Sequence, residues 1–226
     1  MRNSLLSKIR RKLFPSKCQK TYSQCGEDII AAFAFMKLEI SDPYYVDIGA
    51  HDPYLFSNTA LFYERGCSGI CIEPDPYCFN KIKKARKRDT CLPFGISESN
   101  SSIPFYVMSA RTLNTFSKKE AEHLQRDYGY AIENILEIKT YTINDVLEKY
   151  AKRRPNFISL DAEGIDDIIL KTFDFSRFAP ELFCIETIEF SHDKQQKKNT
   201  AIIEYMASEG YSVYADTYIN TLFVRW

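Results

Sequence analysis

The stretch YYVDIGAHDP (44–53) decides the fold of this 226-residue chain. A short run of aromatic and β-branched residues, bounded by Pro43 and Gly49, is typical of a buried strand. Gly49 allows a tight turn directly after the strand, so that a ligand can approach the main chain there. Asp47 adds a carboxylate to the same strand end. The stretch therefore predicts a strand whose carboxyl end carries a binding site.

Similar apolar runs alternate with helical periodicity along the rest of the chain. Strands are predicted over SGICIE (68–73), LPFGI (92–96), IPFYVM (103–108), EIKTYT (137–142), FISLD (157–161) and ELFCIE (181–186). The last two runs, YSVYA (211–215) and TLFVRW (221–226), are separated by a few turn residues and predict an antiparallel pair. The pattern predicts a doubly wound α/β domain with a mostly parallel sheet and an antiparallel C-terminal hairpin.

Several helices carry start signals. Ser57 is a candidate cap for a helix through Glu64, and Asp75 precedes a proline at the first position of the next helix. Ser117 and Glu120 have the spacing of a capping box, and a further helix is predicted around 194–208. These signals place the helices between the predicted strands, as a doubly wound domain requires.

The composition excludes some classes of function. Thirty basic residues balance thirty acidic ones, so no overall field favours nucleic acid. Seven cysteines, without a C-x-x-C pair, favour free thiols in a reducing compartment, and hence a cytoplasmic location. There is no run of eighteen apolar residues that would predict a membrane-spanning helix.

Residues 1–20 form a separate basic leader, and 21–226 form the predicted domain. The opening MRNSLLSKIRRKLF (1–14) places its apolar residues near one helical face with basic residues between them. This pattern fits a helix that lies on the anionic inner face of a membrane or docks onto a partner enzyme, such as a glycosyltransferase. A frayed, solvated leader is the alternative.

The predicted strand ends favour a nucleoside without phosphate groups. Glu73 follows Asp47 by 26 residues, at the end of the next strand, where a carboxylate can bind both ribose hydroxyls. A dinucleotide site needs G-x-G-x-x-G, but His51 and Tyr54 occupy the positions of the second and third glycines. Asp47 and Asp52 would also repel phosphate. A nicotinamide cofactor is therefore disfavoured, and the cationic nucleoside S-adenosylmethionine fits better.

Methylation of a hydroxyl needs a base to begin removing its proton. The candidates are Asp161, Glu163, His51, Glu186 and His192. DAEG (161–164) is the preferred motif, because two crowded carboxylates raise each other's pKa toward neutrality. Two alternatives stay open. Asp161 could simply cap the next helix while Glu163 is solvated, or Asp161, Glu163 and Glu186 could bind Mg²⁺, which is the minority interpretation.

The blocks at 23–28, 44–76 and 157–186 resemble the FkbM family of methyltransferases in their order and spacing. The resemblance extends from residue 22 to about residue 225. It implies a Rossmann-like class I methyltransferase fold, S-adenosylmethionine as the methyl donor, and O-methylation of a sugar or a secondary metabolite. The segment 51–53 departs from the family pattern, since many members have Asn-x-Gly or a similar pair there.

The resemblance also implies which residues bind the cofactor. Carried over by position, they are Gln24, Glu27, Asp28, Asp47, Gly49, Ala50, His51, Asn58, Glu73, Pro74, Gly95, Ile96 and Asp161. Glu73 would hold the ribose, the stretch 94–96 would flank the adenine, and Asp161 with Glu163 would face the reaction centre. The implied partner is a small-molecule or glycan hydroxyl acceptor. A non-catalytic nucleoside-binding or scaffold domain associated with glycan assembly is the alternative function, because fold alone does not establish catalysis.

Overall fold

The computed structural model describes residues 20–162, 164–188 and 198–226. The predicted leader helix at 1–14, and the candidate bases Glu163 and His192, lie outside these ranges. Within them the strands are β1 (Tyr45–Ile48), β2 (Gly69–Ile72), β3 (Thr90–Leu92), β4 (Gly95–Ile96), β5 (Ser101–Met108), β6 (Ile132–Tyr141), β7 (Phe157–Leu160), β8 (Leu182–Glu186), β9 (Ser212–Asp216) and β10 (Asn220–Val224).

A seven-stranded sheet has the order β3-β2-β1-β7-β8-β10-β9. The neighbouring strands β3, β2, β1, β7 and β8 pair in parallel. The strand β10 pairs antiparallel with both β8 and β9. The chain moves outward from β1 to β3 and then crosses to β7, so the switch point lies between β1 and β7. Ligands of such sheets bind at this point, outside the carboxyl ends of the strands. The predicted doubly wound fold and its antiparallel hairpin are confirmed.

Helices connect the strands, and most of the predicted start signals are confirmed. The helices are α1 (Glu27–Lys37), α2 (Ala60–Glu64), α3 (Pro76–Ala85), α4 (Lys118–Tyr128), α5 (Ile143–Tyr150), α6 (Asp166–Thr172) and α7 (Thr200–Ser208). Asp75 accepts the Tyr77 N–H at 2.8 Å, and Ser117 accepts the Glu120 N–H at 3.2 Å. Ser57 accepts the N–H of Ala60, the first residue of α2, at 3.2 Å.

The prediction of one strand over LPFGI (92–96) is wrong. The segment divides into β3 of the central sheet and β4, which joins a second sheet in the order β4-β6-β5. Pro93 lies between them, and because proline has no N–H it cannot continue the hydrogen-bond ladder. The second sheet, with a 3₁₀ turn (Arg111–Leu113) and α4, forms an insertion over residues 95–141.

The central sheet is buried on both faces. On one face Val46 and Ile48 pack in a cluster with Ile158 and Leu160, and on the other Tyr45 packs with the apolar residues of α1. This burial explains why the strands have continuous apolar runs rather than strict alternation. Within the described ranges, none of the helices has the length and hydropathy that crossing a bilayer requires.

One arginine is buried behind the sheet edge. Arg86, at the end of α3, is 1% exposed and pairs with Asp89 at 2.7 Å. Its guanidinium also donates to the Pro53 carbonyl and to the hydroxyl groups of Tyr45 and Thr59. These bonds satisfy a charge that would otherwise be costly to bury, and they fix the loop after β1 to α3.

We expect Arg86→Met to lower the free energy of unfolding by about 3–5 kcal/mol, because it leaves the Asp89 carboxylate buried without its counter-charge. Chemical denaturation measures this change. Arg177→Met is the matched control, since Arg177 pairs with Glu148 on the surface, where both side chains are more than half exposed. The control should leave the unfolding midpoint nearly unchanged. Equal effects of the two substitutions would contradict the role given to Arg86.

Candidate functional site

Three loops meet where β2, β1 and β7 end. The Gly49 and Ala50 amides donate to the Ile72 carbonyl at 3.0 and 3.1 Å, and the Asp161 amide donates to the Ile48 carbonyl at 3.1 Å. Gly49 has a φ of +78°, and a Cβ atom built on it would lie 1.8 Å from the Asp161 carbonyl oxygen. Only glycine fits this turn, which brings the residues that follow β1 and β7 into direct contact.

A cleft of about 1040 Å³ opens over this edge. Its volume is large for a single small ligand and leaves room for a nucleoside together with an acceptor. Most of the cofactor-binding residues predicted from the sequence line it: Gln24, Asp47, Gly49, Ala50, His51, Asn58, Glu73, Pro74, Gly95, Ile96 and Asp161. The structure therefore brings together, in one cleft, residues from six separate parts of the chain.

Glu73 is held by the backbone on either side of it. Its Oε2 accepts the His51 N–H and its Oε1 accepts the Asp75 N–H, both at 2.7 Å. Burial raises the pKa of this carboxyl to about 7. Each oxygen accepts one amide and retains a second acceptor position, so the carboxylate can receive two further donors from a ligand.

Asp47 lies on β1, the strand next to the one that Glu73 follows, and it is buried. Its carboxylate accepts the Thr59 hydroxyl at 2.5 Å, and Thr59 in turn accepts a hydrogen bond from Arg86. Burial raises the pKa of Asp47, while the Thr59 hydroxyl and the Arg86 charge oppose that shift. Asn58 donates to the Ser159 hydroxyl at 3.1 Å, which ties the loop after β1 to β7.

Asp161 and Glu186 form a carboxyl pair at the ends of the neighbouring strands β7 and β8. Their side chains lie within hydrogen-bonding reach of each other, and a bond between them requires one of the two carboxyl groups to carry a proton. Burial, followed by the charges of Asp166 and Asp47, raises the pKa of Asp161 to about 7, and the bond with Glu186 partly opposes the shift. Burial and the Asp161 charge raise the pKa of Glu186 well above its usual range.

One oxygen of this pair has no partner. The Oδ1 atom of Asp161 is shielded from solvent and makes no hydrogen bond within the described residues. A buried carboxylate oxygen without a donor is costly in free energy, and such groups in native structures commonly mark a functional position. Asp161 lines the cleft, so its carboxyl group lies at the surface that a ligand would contact.

His51 faces a different part of the cleft. It has a positive φ of 46°, and its Nδ1 atom lies 3.8 Å from Cys78 Sγ on α3. Burial lowers the pKa of the imidazole, which is therefore neutral at physiological pH. The contact with α3 places the ring on the side of Glu73, whereas Asp161 pairs with Glu186 on β8.

Two of the predicted cofactor residues do not line the cleft. Glu27 accepts hydrogen bonds from Thr217, Asn220 and the Cys25 amide, so it joins the start of α1 to the C-terminal hairpin. Asp28 accepts donors from the segment 21–23. Both side chains are fully buried and satisfied within the protein. Their position in the first turn of a helix did not reveal that they point inward.

Apart from Gly95 and Ile96, the residues that the insertion contributes to the site were not predicted from the sequence. Its cleft-lining residues include Phe105, Arg111, Leu113, Asn114, Phe116 and Lys119. The signal in the sequence was the irregularity of this segment, which interrupts the alternation of strands and helices. Such insertions often carry specificity. No grouping of three metal-binding side chains occurs in the described portion of the chain, and Glu163 lies outside it.

Comparisons with solved structures give weak similarities to methyltransferases. A TehB-like SAM-dependent methyltransferase from Corynebacterium glutamicum is 8% identical, with a TM-score of 0.46, covering 100% of this chain and 98% of that one. An O-methyltransferase from Bacillus cereus, solved with SAH, is 10% identical, with a TM-score of 0.44 and coverages of 99% and 90%. A 1,6-didemethyltoxoflavin-N1-methyltransferase from Burkholderia thailandensis is 10% identical, with a TM-score of 0.43 and coverages of 99% and 84%.

No curated protein sequence matches the chain significantly. The sequence profile of the methyltransferase FkbM domain matches residues 47–213, which is well over half of the chain. The matched range extends from the β1 carboxylate to β9, and it includes most of the residues that line the cleft, the insertion and the Asp161–Glu186 pair. This match confirms the resemblance noted in the sequence: the chain belongs to the FkbM family of methyltransferases.

Proposed function

We propose that the chain transfers a methyl group from S-adenosylmethionine to a hydroxyl group of a sugar or another small metabolite, with Asp161 as the base. One observation carries the assignment of the base: Asp161 Oδ1 is shielded, has no partner within the described residues, and belongs to a carboxyl whose pKa is raised to about 7. A base with a pKa near the working pH is the most effective in general base catalysis.

The cleft fits a nucleoside that carries a positive charge and no phosphate. Glu73 offers two oxygens with free acceptor positions, which matches the two hydroxyls of a ribose. Asp47 adds negative charge on the adjacent strand, and Gly49 leaves the main chain bare. Glu73, Asp47, Gly49 and Ala50 would hold S-adenosylmethionine, with Gly95 and Ile96 beside its adenine.

When bound, S-adenosylmethionine supplies an electrophilic methyl group and leaves as its neutral thioether product. The protein's part is to align the acceptor, exclude water and move one proton. The Asp161 carboxylate would accept the proton of the acceptor hydroxyl as that oxygen attacks the methyl group. The base is needed because a neutral hydroxyl is a poor nucleophile at neutral pH.

Glu186 serves Asp161 as a neutral hydrogen-bond donor. Its raised pKa favours the protonated form, and its bond to Asp161 lowers the pKa of that group. The donor therefore orients the Asp161 carboxylate. Glu163 lies outside the described residues, and its participation stays a prediction from the sequence.

The proposed acceptor is a polar molecule with hydroxyl groups. The cleft that Asp161 lines also has carboxylates and amides in its wall, including Glu120, Asp167 and Asn199, together with aromatic rings of the insertion. Such a mixture suits a sugar ring, whose hydroxyls need hydrogen-bond partners and whose C–H face can lie on an apolar side chain. Contact with a membrane or a glycosyltransferase through residues 1–14 stays a separate prediction, because that segment is not described.

We expect Asp161→Asn to reduce kcat about 10²- to 10⁴-fold while the Kd for S-adenosylhomocysteine changes little, because the amide keeps the shape and loses the base. Glu186→Gln is the matched control. It retains an N–H donor to Asp161, so kcat should stay within about tenfold of wild type. The assay uses labelled S-adenosylmethionine with a cell extract first, and then with the acceptor identified from the labelled product.

Wild-type turnover in the Asp161→Asn variant would exclude Asp161 as the base. Binding of S-adenosylhomocysteine without methyl transfer to any component of the extract would favour the nucleoside-binding scaffold instead.

The rate should depend on pH through Asp161. Because this carboxyl must be ionised to accept a proton and its pKa is raised to about 7, kcat/KM should fall about tenfold per pH unit below that value and level off above it. Glu186→Leu removes the donor that lowers the Asp161 pKa, so the midpoint should move to higher pH. Glu186→Gln should keep the midpoint close to that of wild type. A midpoint that moves downward in Glu186→Leu would contradict the pairing.

A further inference from the structure

The insertion is attached to the cofactor side of the cleft by one buried carboxylate. Asp75 is 2% exposed, and its Oδ2 accepts the Arg111 guanidinium at 2.5 Å and the Asn114 amide at 2.9 Å. Arg111 and Asn114 flank the 3₁₀ turn of the insertion, which is 36 residues or more beyond Asp75 in sequence. The contact therefore joins the start of α3 to the insertion, two segments that are far apart in the sequence.

The same residue also holds the carboxylate that we assign to the ribose. The Asp75 N–H donates to Glu73 Oε1 at 2.7 Å, and Glu73 Oε2 accepts the His51 N–H. Asp75 thus touches Glu73 through its main chain and the insertion through its side chain. A displacement of the Asp75 side chain by the insertion would disturb the backbone that positions Glu73.

The bonds to the insertion exceed what helix capping requires. Asp75 caps α3 through Oδ1 alone, which accepts the Tyr77 N–H. Oδ2 is used entirely for Arg111 and Asn114. Arg111 also lies over the Tyr77 ring, with 4.7 Å between its guanidinium carbon and the ring centroid. A surface arginine that served only solubility would not be fixed by both a buried carboxylate and an aromatic face.

Asn114 transmits the attachment to the second sheet. Its Oδ1 accepts the Met108 N–H at 2.8 Å while its Nδ2 donates to Asp75, and the residue is 8% exposed. Phe116, two residues further on, packs so closely on Gly95 that a Cβ atom there would lie 2.4 Å from the Phe116 ring. Phe116, Leu113 and Gly95 all line the cleft.

We propose that Asp75, Arg111 and Asn114 are positioning residues that hold the insertion against the bound nucleoside, so that Leu113 and Phe116 complete the cofactor site. The inference rests on the proposed nucleoside role of Glu73. It assigns part of the affinity for the cofactor to residues 111–116 of the insertion, for which the sequence predicted no role in cofactor binding. Loss of the attachment weakens cofactor binding first, and the proton transfer at Asp161 is affected only secondarily.

Asp75→Ser tests the attachment selectively. Serine is an equally good helix cap and keeps the N–H that donates to Glu73, but its side chain is too short to hold both Arg111 and Asn114. We expect the Kd for S-adenosylhomocysteine, measured by calorimetry, to rise about tenfold or more, which corresponds to about 1.4 kcal/mol. With saturating cofactor, kcat should change much less than the KM for S-adenosylmethionine.

Hydrogen exchange supplies a readout that does not depend on activity. In the wild type, S-adenosylhomocysteine should slow exchange of the amides over 106–116, including the Met108 N–H that Asn114 holds. In Asp75→Ser these amides should exchange faster, and the ligand should protect them less. Asn114→Ala alone should weaken binding. Combined with Asp75→Ser it should weaken binding little further, because the two residues share one interaction.

Lys118→Ala is the control within the insertion, since Lys118 is exposed and, among the described residues, its ion pair is with Glu122. It should leave binding and exchange unchanged. Unchanged affinity and exchange in Asp75→Ser would overturn the inference, provided that Glu73→Gln still weakens binding. If neither the wild type nor any variant binds S-adenosylhomocysteine, the proposed function itself fails.

Discussion

The close approach of Gly49 to the Asp161 carbonyl oxygen is the constraint on which the rest of the structure depends. A side chain at position 49 would overlap that oxygen, so glycine with a positive φ is required there. Because β1 lies between β2 and β7, the turn after β1 brings Glu73 to one side and Asp161 to the other. For this reason the regions that we propose to bind the methyl donor and the methyl acceptor are adjacent in the cleft.

Burial of several carboxylates is the second consequence of this arrangement. Asp47, Glu73 and Asp161 each have a raised pKa because the protein removes them from water. The free-energy cost of burying Glu73 is reduced by the amides that donate to it. For Asp47 it is reduced by the Thr59 hydroxyl, which links Asp47 to Arg86. At Asp161 the compensation is incomplete, since Oδ1 has no donor in the described residues, and this is where we propose the chemistry occurs.

The insertion gives the general fold its particular site. Doubly wound sheets place a ligand at the switch point whatever they bind, so the central strands alone do not select an acceptor. The segment 95–141 forms one wall of the cleft. It bonds to Asp75 on the cofactor side, and its Glu120 lines the reaction side. One element therefore contacts both ligands in the proposed function, and its position matters to the affinity for each of them.

The sequence by itself determined the strand runs, the Asp75 and Ser117 caps, the glycine turn and the carboxylates at the strand ends, because these features depend on neighbouring residues. Only the tertiary structure decided the rest. Pro93 ends the strand of the central sheet before the chain enters a second sheet, Glu27 points inward to Asn220, and Glu186 pairs with Asp161. These outcomes involve partners that are distant in sequence, and periodicity does not specify which distant side chains will meet.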